Sequence, residues 1–437
     1  MDSQGDAMGT EISLDIGGMS ISWSKNDRGM DHGSLFQLSD RKRFHCQILN
    51  YDAAGLDEAD VAEMEIGFTR PIGNVLPRLE LLGHTIATAK DEYTEMVATC
   101  REMDSPLDLM SFDEFLAFLK TVAISDLDDT CVNGPDDTAK QGRFNDENLK
   151  GRIPYYSRNN GNAYSERSYF GSLVRFLHPY TQLRLFAENP TNLTVNLDWQ
   201  YGPLVSNGWA EESEFKPNAR RTQTYLIATE GSSDTHILDR AFQLLLPEIA
   251  DFFRFIDVRE RHPFSGTGSL VKFAEGLAKI DVHNRTVFLL DNDAEGVSAS
   301  RKIDEMSLPL NMRTLTLPAL DAFKNFPTIG PDGERTSDIN GRAAAIECYL
   351  DLGTAGLPRP LVRWAHFKED VSLYQGALEQ KDRYCRAFFD RAGRGEPYNT
   401  SKLSAVLRGI VNVCTVMATE MLRKDVGSLI SRANALY

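Results

Sequence analysis

The sequence predicts an α/β protein whose second half is a parallel sheet flanked by helices. Three observations carry this. Between residues 222 and 318, short apolar runs alternate with amphipathic segments of about 12 residues, the pattern of strand–helix–strand units. The runs are continuously apolar, as in VFLL (287–290), which marks strands covered on both faces. Acids gather where these runs end: Glu230 after the first, Asp291 and Asp293 after the third. Ligands of parallel sheets bind just beyond such carboxyl ends.

The elements follow in chain order. SLDIGGMSISWSK (13–25) alternates like a strand pair around a glycine turn. NVLPRLELLGHTIATAKDEYTEMVATC (74–100) has helical spacing of its apolar residues. SFDEFLAFLKTVAI (111–124) opens with a serine cap and first-turn acids and shows an apolar face, so it is read as a helix. Residues 126–162, rich in Asp, Asn and Gly, read as a long loop. YFGSLVRFLHPYTQLRLFAENP (169–190) resumes helical spacing. A polar stretch with a proline, GWAEESEFKPNARR (208–221), marks a domain boundary.

Beyond it come TYLIATEG (224–231) as a strand, SDTHILDRAFQLLLPEIADFF (233–253) as a helix and RFIDVR (254–259) as a short strand. SLVKFAEGLAKI (269–280) is a helix, RTVFLLDND (285–293) a strand, AEGVSASRKIDEM (294–306) a helix and MRTLTLP (312–318) a strand. The rest, including SDINGRAAAIECYLDL (337–352) and NTSKLSAVLRGIVNVCTVMATEMLRK (399–424), reads as mainly helical. The expected domains are 1–220, an N-terminal α+β domain; 221–320, the parallel sheet; and 321–437, a helical C-terminal extension.

Composition narrows the setting. The chain has 437 residues and a formal net charge of −16, which argues against a protein that simply coats nucleic acid. No stretch is read as approaching the roughly 18 apolar residues of a membrane helix. The polar, acidic start MDSQGDAMGTEISLD is not a signal peptide. Six scattered cysteines without a Cys-x-x-Cys pair point to reduced thiols, a cytoplasmic setting and no zinc ribbon.

Asp291, Asp293 and Glu295 stand almost side by side in DNDAEG, and Asp234 follows Glu230 closely in TEGSSD. If the first and third strands are neighbours, four carboxylates converge. Oxygen-only donors without His or Cys suit a hard cation, Mg²⁺ or Mn²⁺. Two such ions about 4 Å apart would activate a water and stabilise the leaving oxygen of an in-line displacement. Strand-end acids also cap helices, and Asp234 alone would be read that way.

The combination resembles the Toprim domain of topoisomerases, bacterial primases and the overcoming-lysogenization-defect nucleases, in which a Glu follows the first strand and Asp-x-Asp the third. The matching residues are Glu230, Asp291 and Asp293. DNDAEG is similar to the form in type IA topoisomerases. TEGSSD resembles the nuclease branch, where the residue at Asp234 is a further metal ligand. That branch also uses a lysine beyond the acidic core to neutralise transition-state charge; Lys381 is the candidate, with Lys368 nearby. Glu347 could be another ligand but reads more readily as helical surface. IGGMSISWSKNDRG (16–29), LFQLSDRKR (35–43) and NVLPRLELLGHT (74–85) resemble the N-terminal region of HEPN/Toprim-associated proteins, predicted nucleases of bacterial defence islands.

The resemblance implies a Rossmann-like Toprim sheet and a Mg²⁺- or Mn²⁺-dependent nuclease acting on DNA or RNA. Glu230, Asp234, Asp291, Asp293 and Glu295 would lie at the metal, and Glu230, Asp291, Asp293 and Lys381 would serve catalysis. Expected partners are nucleic acid and either a second copy of the chain or a defence-system protein; no membrane contact is expected. The alternatives are a non-catalytic sensor or adaptor and a HEPN-type, metal-independent ribonuclease.

Other signals compete. SDLDDT (125–130) is similar to the Asp-x-Asp-x-Thr of haloacid-dehalogenase phosphatases, with Asp126 and Asp128 in the catalytic places, but Ser125 interrupts the apolar run that family needs. The Arg-x(4–6)-His of HEPN ribonucleases is met by Arg78 to His84 and Arg359 to His366. PFSGTGSL (263–270) lacks the Lys-Ser/Thr of a P-loop and reads as a plain turn. The clusters SDRKRFH (39–45) and NARR (218–221) read as surface, and Trp199 and Trp209 as packing residues.

Overall fold

In a computed structural model of the chain, the described residues are 9–46, 57–103, 108–132, 137–146, 149, 151–154, 163–256, 266–280 and 282–434. They form two compact units, Met1–Ala219 and Arg220–Tyr437, each described by itself.

The first unit is built on a five-stranded antiparallel sheet. β1 (Glu11–Ile16) and β2 (Met19–Lys25) form a hairpin across Gly17 and Gly18, both at positive φ, where the missing Cβ permits the turn. β3 (Arg41–Arg43), β4 (Ile66–Pro71) and β5 (Asn196–Gln200) complete the order β2-β1-β5-β4-β3. Around it lie α1 (Glu58–Met64), α2 (Ile72–Leu81), α3 (Ile86–Met103), α4 (Phe112–Lys120), α5 (Glu166–Val174) and α6 (Pro179–Phe186). Ser111 caps α4 and trades hydrogen bonds with Glu114, as its sequence predicts. Trp199 stacks with Phe36 and Phe68 in the core, whereas Trp209 is 52% exposed.

The second unit opens with the expected alternation. β6 (Tyr225–Ala228), α7 (Ser232–Leu245), β7 (Phe253–Phe255), α8 (Thr267–Lys279), β8 (Arg285–Leu290), β9 (Asn292–Asp293), α9 (Ala294–Asp304) and β10 (Met312–Thr316) follow in turn. The sheet is parallel in the order β10-β8-β6-β7. β6 pairs directly with β8, Ala228 opposite Phe288, so the first and third strand ends are neighbours. Ala228, Phe288 and Leu290 are fully buried among Leu270, Ala274 and Ile303 from α8 and α9, which is why these runs are apolar throughout.

After Pro318 the chain departs from the helical expectation. β11 (Phe326–Gly330), β12 (Gly333–Ser337), β14 (Val362–Lys368) and β15 (Leu373–Leu378) form a sheet in the order β12-β11-β14-β15, while β13 (Ala343–Ala344) pairs antiparallel with β9. The Pro-Asp-Gly turn at 331–333 is the sequence signal for the β11–β12 hairpin. The segment 337–352 is not a helix, because Ala343 and Ala344 bond to β9 and the Ile346 N–H donates to Asp291 instead of closing a helical turn. On the β14–β15 ribbon, His366 lies opposite Gln375 and Phe367 opposite Tyr374, whose exposed rings meet 5.1 Å apart.

Two helices close the chain, α10 (Lys381–Arg391) and α11 (Ser401–Asn434). Over Ser401–Lys424, α11 is long and apolar enough to cross a membrane by length and composition, which corrects the reading that no stretch approaches that limit. Leu403, Val406, Leu407, Ile410, Cys414, Met417 and Ala418 are all at most 1% exposed. Their spacing is that of one helix face turned to a core, and α11 packs on β10 and α7.

The β8–α9 connection is tight. A Cβ on Gly296 would overlap the backbone carbonyl of Asp291, so only glycine lets α9 begin this close to the strand end. Gly296→Ala is therefore expected to cost about 2 kcal/mol or more, as overpacking against backbone does, read as a lower melting temperature; an unchanged melt would show that this turn yields freely.

Candidate acidic active site

Two strand ends set the site. Glu230 follows β6, and its Oε1 accepts the Asp291 N–H at 3.1 Å, tying the end of β6 to the end of β8. Asp291 in turn accepts the Ile346 N–H at 3.0 Å through Oδ1. Asp234 sits in the first turn of α7 and accepts the Gly231 N–H at 3.0 Å and the Ser233 hydroxyl at 3.3 Å. Asp293 caps α9, accepting the Gly296 N–H at 2.7 Å through Oδ1. Its Oδ2 accepts the Gln375 amide at 2.6 Å. Asp234 and Asp293 lie at helix starts, where carboxylates suit the N-terminus, whereas Glu230 and Asp291 accept main-chain N–H groups of other segments.

These acids also feel one another's charge. Burial, followed by the charge of Asp293, pushes Glu230 up to about 8. Burial, followed by the charge of Glu347, pushes Asp234 up to about 7. Asp291 is raised well above the usual carboxylate range by burial and then by Asp234 and Glu230. Asp293 is raised by burial, against the hydrogen bonds from Gly296 and Gln375. Desolvation and like charge both favour the neutral acid.

The remaining acids differ. Glu295 is bound by Lys368 at 2.6 Å, with the His366 Nε2 at 3.4 Å, and is lowered by the Lys368 bond first. Glu347 is 3% exposed, not helical surface: it lies on a 3-10 turn, Ile346–Tyr349, and pairs with Lys381 at 3.0 Å. Lys381 is raised chiefly by Glu347 and also feels Asp234 and Asp291, so it belongs to the cluster. Gln375 was missed as a site residue, and Glu347 was set second to a surface reading, because both come from the segment read as helical; no local motif marks them.

The donor set suits a hard cation in kind, being oxygen-only and desolvated. Among the described residues, however, no group of three or more His, Cys, Asp or Glu side chains is arranged to hold a metal ion. A cavity of about 10 Å³ lies between Thr229, Asp234, Asp291 and the apolar Leu238, Leu290 and Leu317, no larger than a single water needs. The site is an acidic edge and not a deep pocket.

The rival motifs lie elsewhere. Asp126 ends a 3-10 turn, and Asp128 accepts the Thr130 N–H on a loop; neither follows a strand. Arg78 is fully buried and donates to the Ser34 and Phe36 carbonyls. His84 is half-buried, stacks on His178 at 4.9 Å and is pulled down to about 3, chiefly by desolvation. Arg359 pairs with Glu334, and His366 lies on β14, not on a helix. In the basic cluster at 39–45, Arg41 pairs with Glu212 and Arg43 with Glu65. Residues 263–265 of the glycine-rich turn fall outside the described residues.

The raised acids make stability depend on pH. Their neutral forms are favoured by folding, so the contribution is complete below about pH 4 and is lost as pH rises through about 7 to 8. Without divalent cation, the wild type is expected to melt at least about 3 °C lower at pH 8.5 than at pH 6, one pKa unit being about 1.4 kcal/mol and each kcal/mol about 2–4 °C in a unit of this size. Asp291→Asn should flatten this slope; an equal slope in both proteins would refute the coupled burial of these carboxylates.

With this geometry in place, comparison with known proteins adds one finding. Residues 8–223 match the family described as HEPN/Toprim N-terminal domain 1. No curated protein and no solved structure matches the chain. The match takes in nearly all of the antiparallel unit and ends where the parallel-sheet unit begins. The match covers just under half of the chain and supports a HEPN/Toprim-associated protein.

Proposed function

We propose that the chain is a nuclease that hydrolyses phosphodiester bonds of DNA or RNA at the acidic edge, with Mg²⁺ or Mn²⁺ as cofactor. The observation that carries this reading is the burial of Glu230, Asp234, Asp291 and Asp293 at adjacent ends of a parallel sheet, where each is pushed toward its neutral form. The N-terminal domain match supports a nuclease-related or defence-associated role.

These four residues would hold the cation, which when bound would supply positive charge for a phosphate and an acidified water. Glu230, just beyond the end of β6, would either hold the cation or act as the base that orients the attacking water. Lys381, its side chain 55% exposed beside the acids, is suited to stabilising charge on the phosphate. In this reading the protein acts in the cytoplasm, on nucleic acid, together with a second copy or a defence-system partner.

A non-catalytic sensor or adaptor is the second reading. It is favoured by the absence, among the described residues, of acids arranged to hold an ion. Turnover separates the two. Plasmid, single-stranded DNA and total RNA are incubated with Mg²⁺, Mn²⁺ or EDTA. Cleavage is expected in at least one arm with Mg²⁺ or Mn²⁺ and not in EDTA; intact substrates throughout would favour the sensor.

Glu230→Gln keeps shape and removes charge, so it should fold and lose at least about 10²-fold in rate, the lower end of a positioned acid–base contribution. Asp126→Asn and His366→Ala should remain within about threefold of wild type, a difference of less than 1 kcal/mol. Full activity in Glu230→Gln, or its loss in a folded Asp126→Asn or His366→Ala protein, would move the chemistry elsewhere.

A further inference from the structure

Six acids crowd this edge, and their partners divide them. Glu295 is held by Lys368 and Glu347 by Lys381. Among the described residues, no cationic group bonds to Glu230, Asp234, Asp291 or Asp293; their hydrogen-bond donors are backbone N–H groups, the Ser233 hydroxyl and the Gln375 amide.

Gln375 is the only one of these donors on a long side chain from a distant strand. Its Nε2 donates to Asp293 Oδ2 at 2.6 Å, and its Oε1 accepts the Glu295 N–H at 3.1 Å. That N–H is one of the free donors in the first turn of α9. The two bonds orient the amide, one end needing an N–H and the other a carbonyl. With Gly296 on Oδ1, both oxygens of Asp293 are fixed. The backbone behind Gln375 is also fixed: the Gly376 N–H bonds to the Arg342 carbonyl at 3.1 Å, and a Cβ on Gly376 would press on Val362, Ala343 and Trp364 at 2.9–3.0 Å. Ala343 is itself the β13 partner of Asp293.

We infer that Gln375 is a positioning residue for the cation site, an uncharged clamp that orients Asp293 without neutralising it. A lysine there would fix the same oxygen and cancel its charge, as Lys368 does for Glu295. This inference rests on the proposed cation-dependent reading of the site and adds the residue that prepares Asp293 for it. Outer residues that orient a metal ligand typically contribute 10–100-fold to affinity.

The test uses the full-length protein with Mn²⁺ alone as probe in thermal melts, and Mn²⁺ titration of the cleavage rate. Three proteins are compared: wild type, Gln375→Leu and Gln375→Lys. Gln375→Leu should melt in EDTA within a few degrees of wild type, need about tenfold more Mn²⁺ for half of the melting shift, and recover near-wild-type cleavage at saturating Mn²⁺. A residue that only supports the fold would instead lower the rate at every Mn²⁺ concentration and leave the midpoint unchanged. Gln375→Lys should be at least as stable in EDTA and lose the Mn²⁺ shift.

If wild type shifts with Mn²⁺ and Gln375→Leu titrates with the same midpoint, the clamp is refuted while the cation site stands. Retention of the full shift by Gln375→Lys would refute the clamp equally. A wild type with no Mn²⁺ shift would refute the cation site itself, and the clamp with it.

Discussion

The burial of negative charge at the end of the parallel sheet is the constraint on which this site depends. A lone carboxylate in a desolvated place is costly, and several together cost more, because each raises the penalty of its neighbours. The fold accepts that cost at Glu230, Asp234, Asp291 and Asp293 and relieves it at Glu295 and Glu347, where lysines stand opposite. Without added cation, the four are eased toward their neutral forms.

The sequence carried the first part of this plainly. The strands and helices between 225 and 316 fall where the apolar runs place them, and the β6–β8 adjacency that gathers the acids is the one the motif requires. Local patterns suffice there because the central strands β6 and β8 are buried on both faces and the helices on one. The region after 318 was less legible. Ala343 and Ala344 are good helix formers held in a strand pair by β9, and Ile346 gives its N–H to Asp291. These are tertiary demands that override propensity, and no window of sequence contains both partners. Glu347, Gln375 and the Lys368–Glu295 pair share that origin. The Pro-Asp-Gly turn at 331–333 was the one local clue to the second sheet.

The antiparallel unit illustrates the opposite case, a motif legible in sequence and silent in structure. Arg78 and His84 have the spacing of a ribonuclease pair. The guanidinium is enclosed and bonded to main-chain carbonyls, and the imidazole is kept neutral by burial and stacked on His178. Arg78, fully buried, is out of a substrate's reach, and the half-buried His84 faces His178 and Tyr180 instead of an arginine. Spacing alone does not carry exposure, and chemistry on a polymer needs both.

The β14–β15 ribbon has one further consequence. Its inner face presents His366, Lys368 and Gln375 to Asp293 and Glu295, and its outer face presents Phe367 and Tyr374 to solvent. Along paired strands alternate side chains point to opposite faces of one backbone. The groups that hold Asp293 and Glu295 and the exposed rings are therefore placed by the same two strands. Asp293 and Glu295 are thus held from one face of a ribbon whose reverse is an exposed aromatic pair.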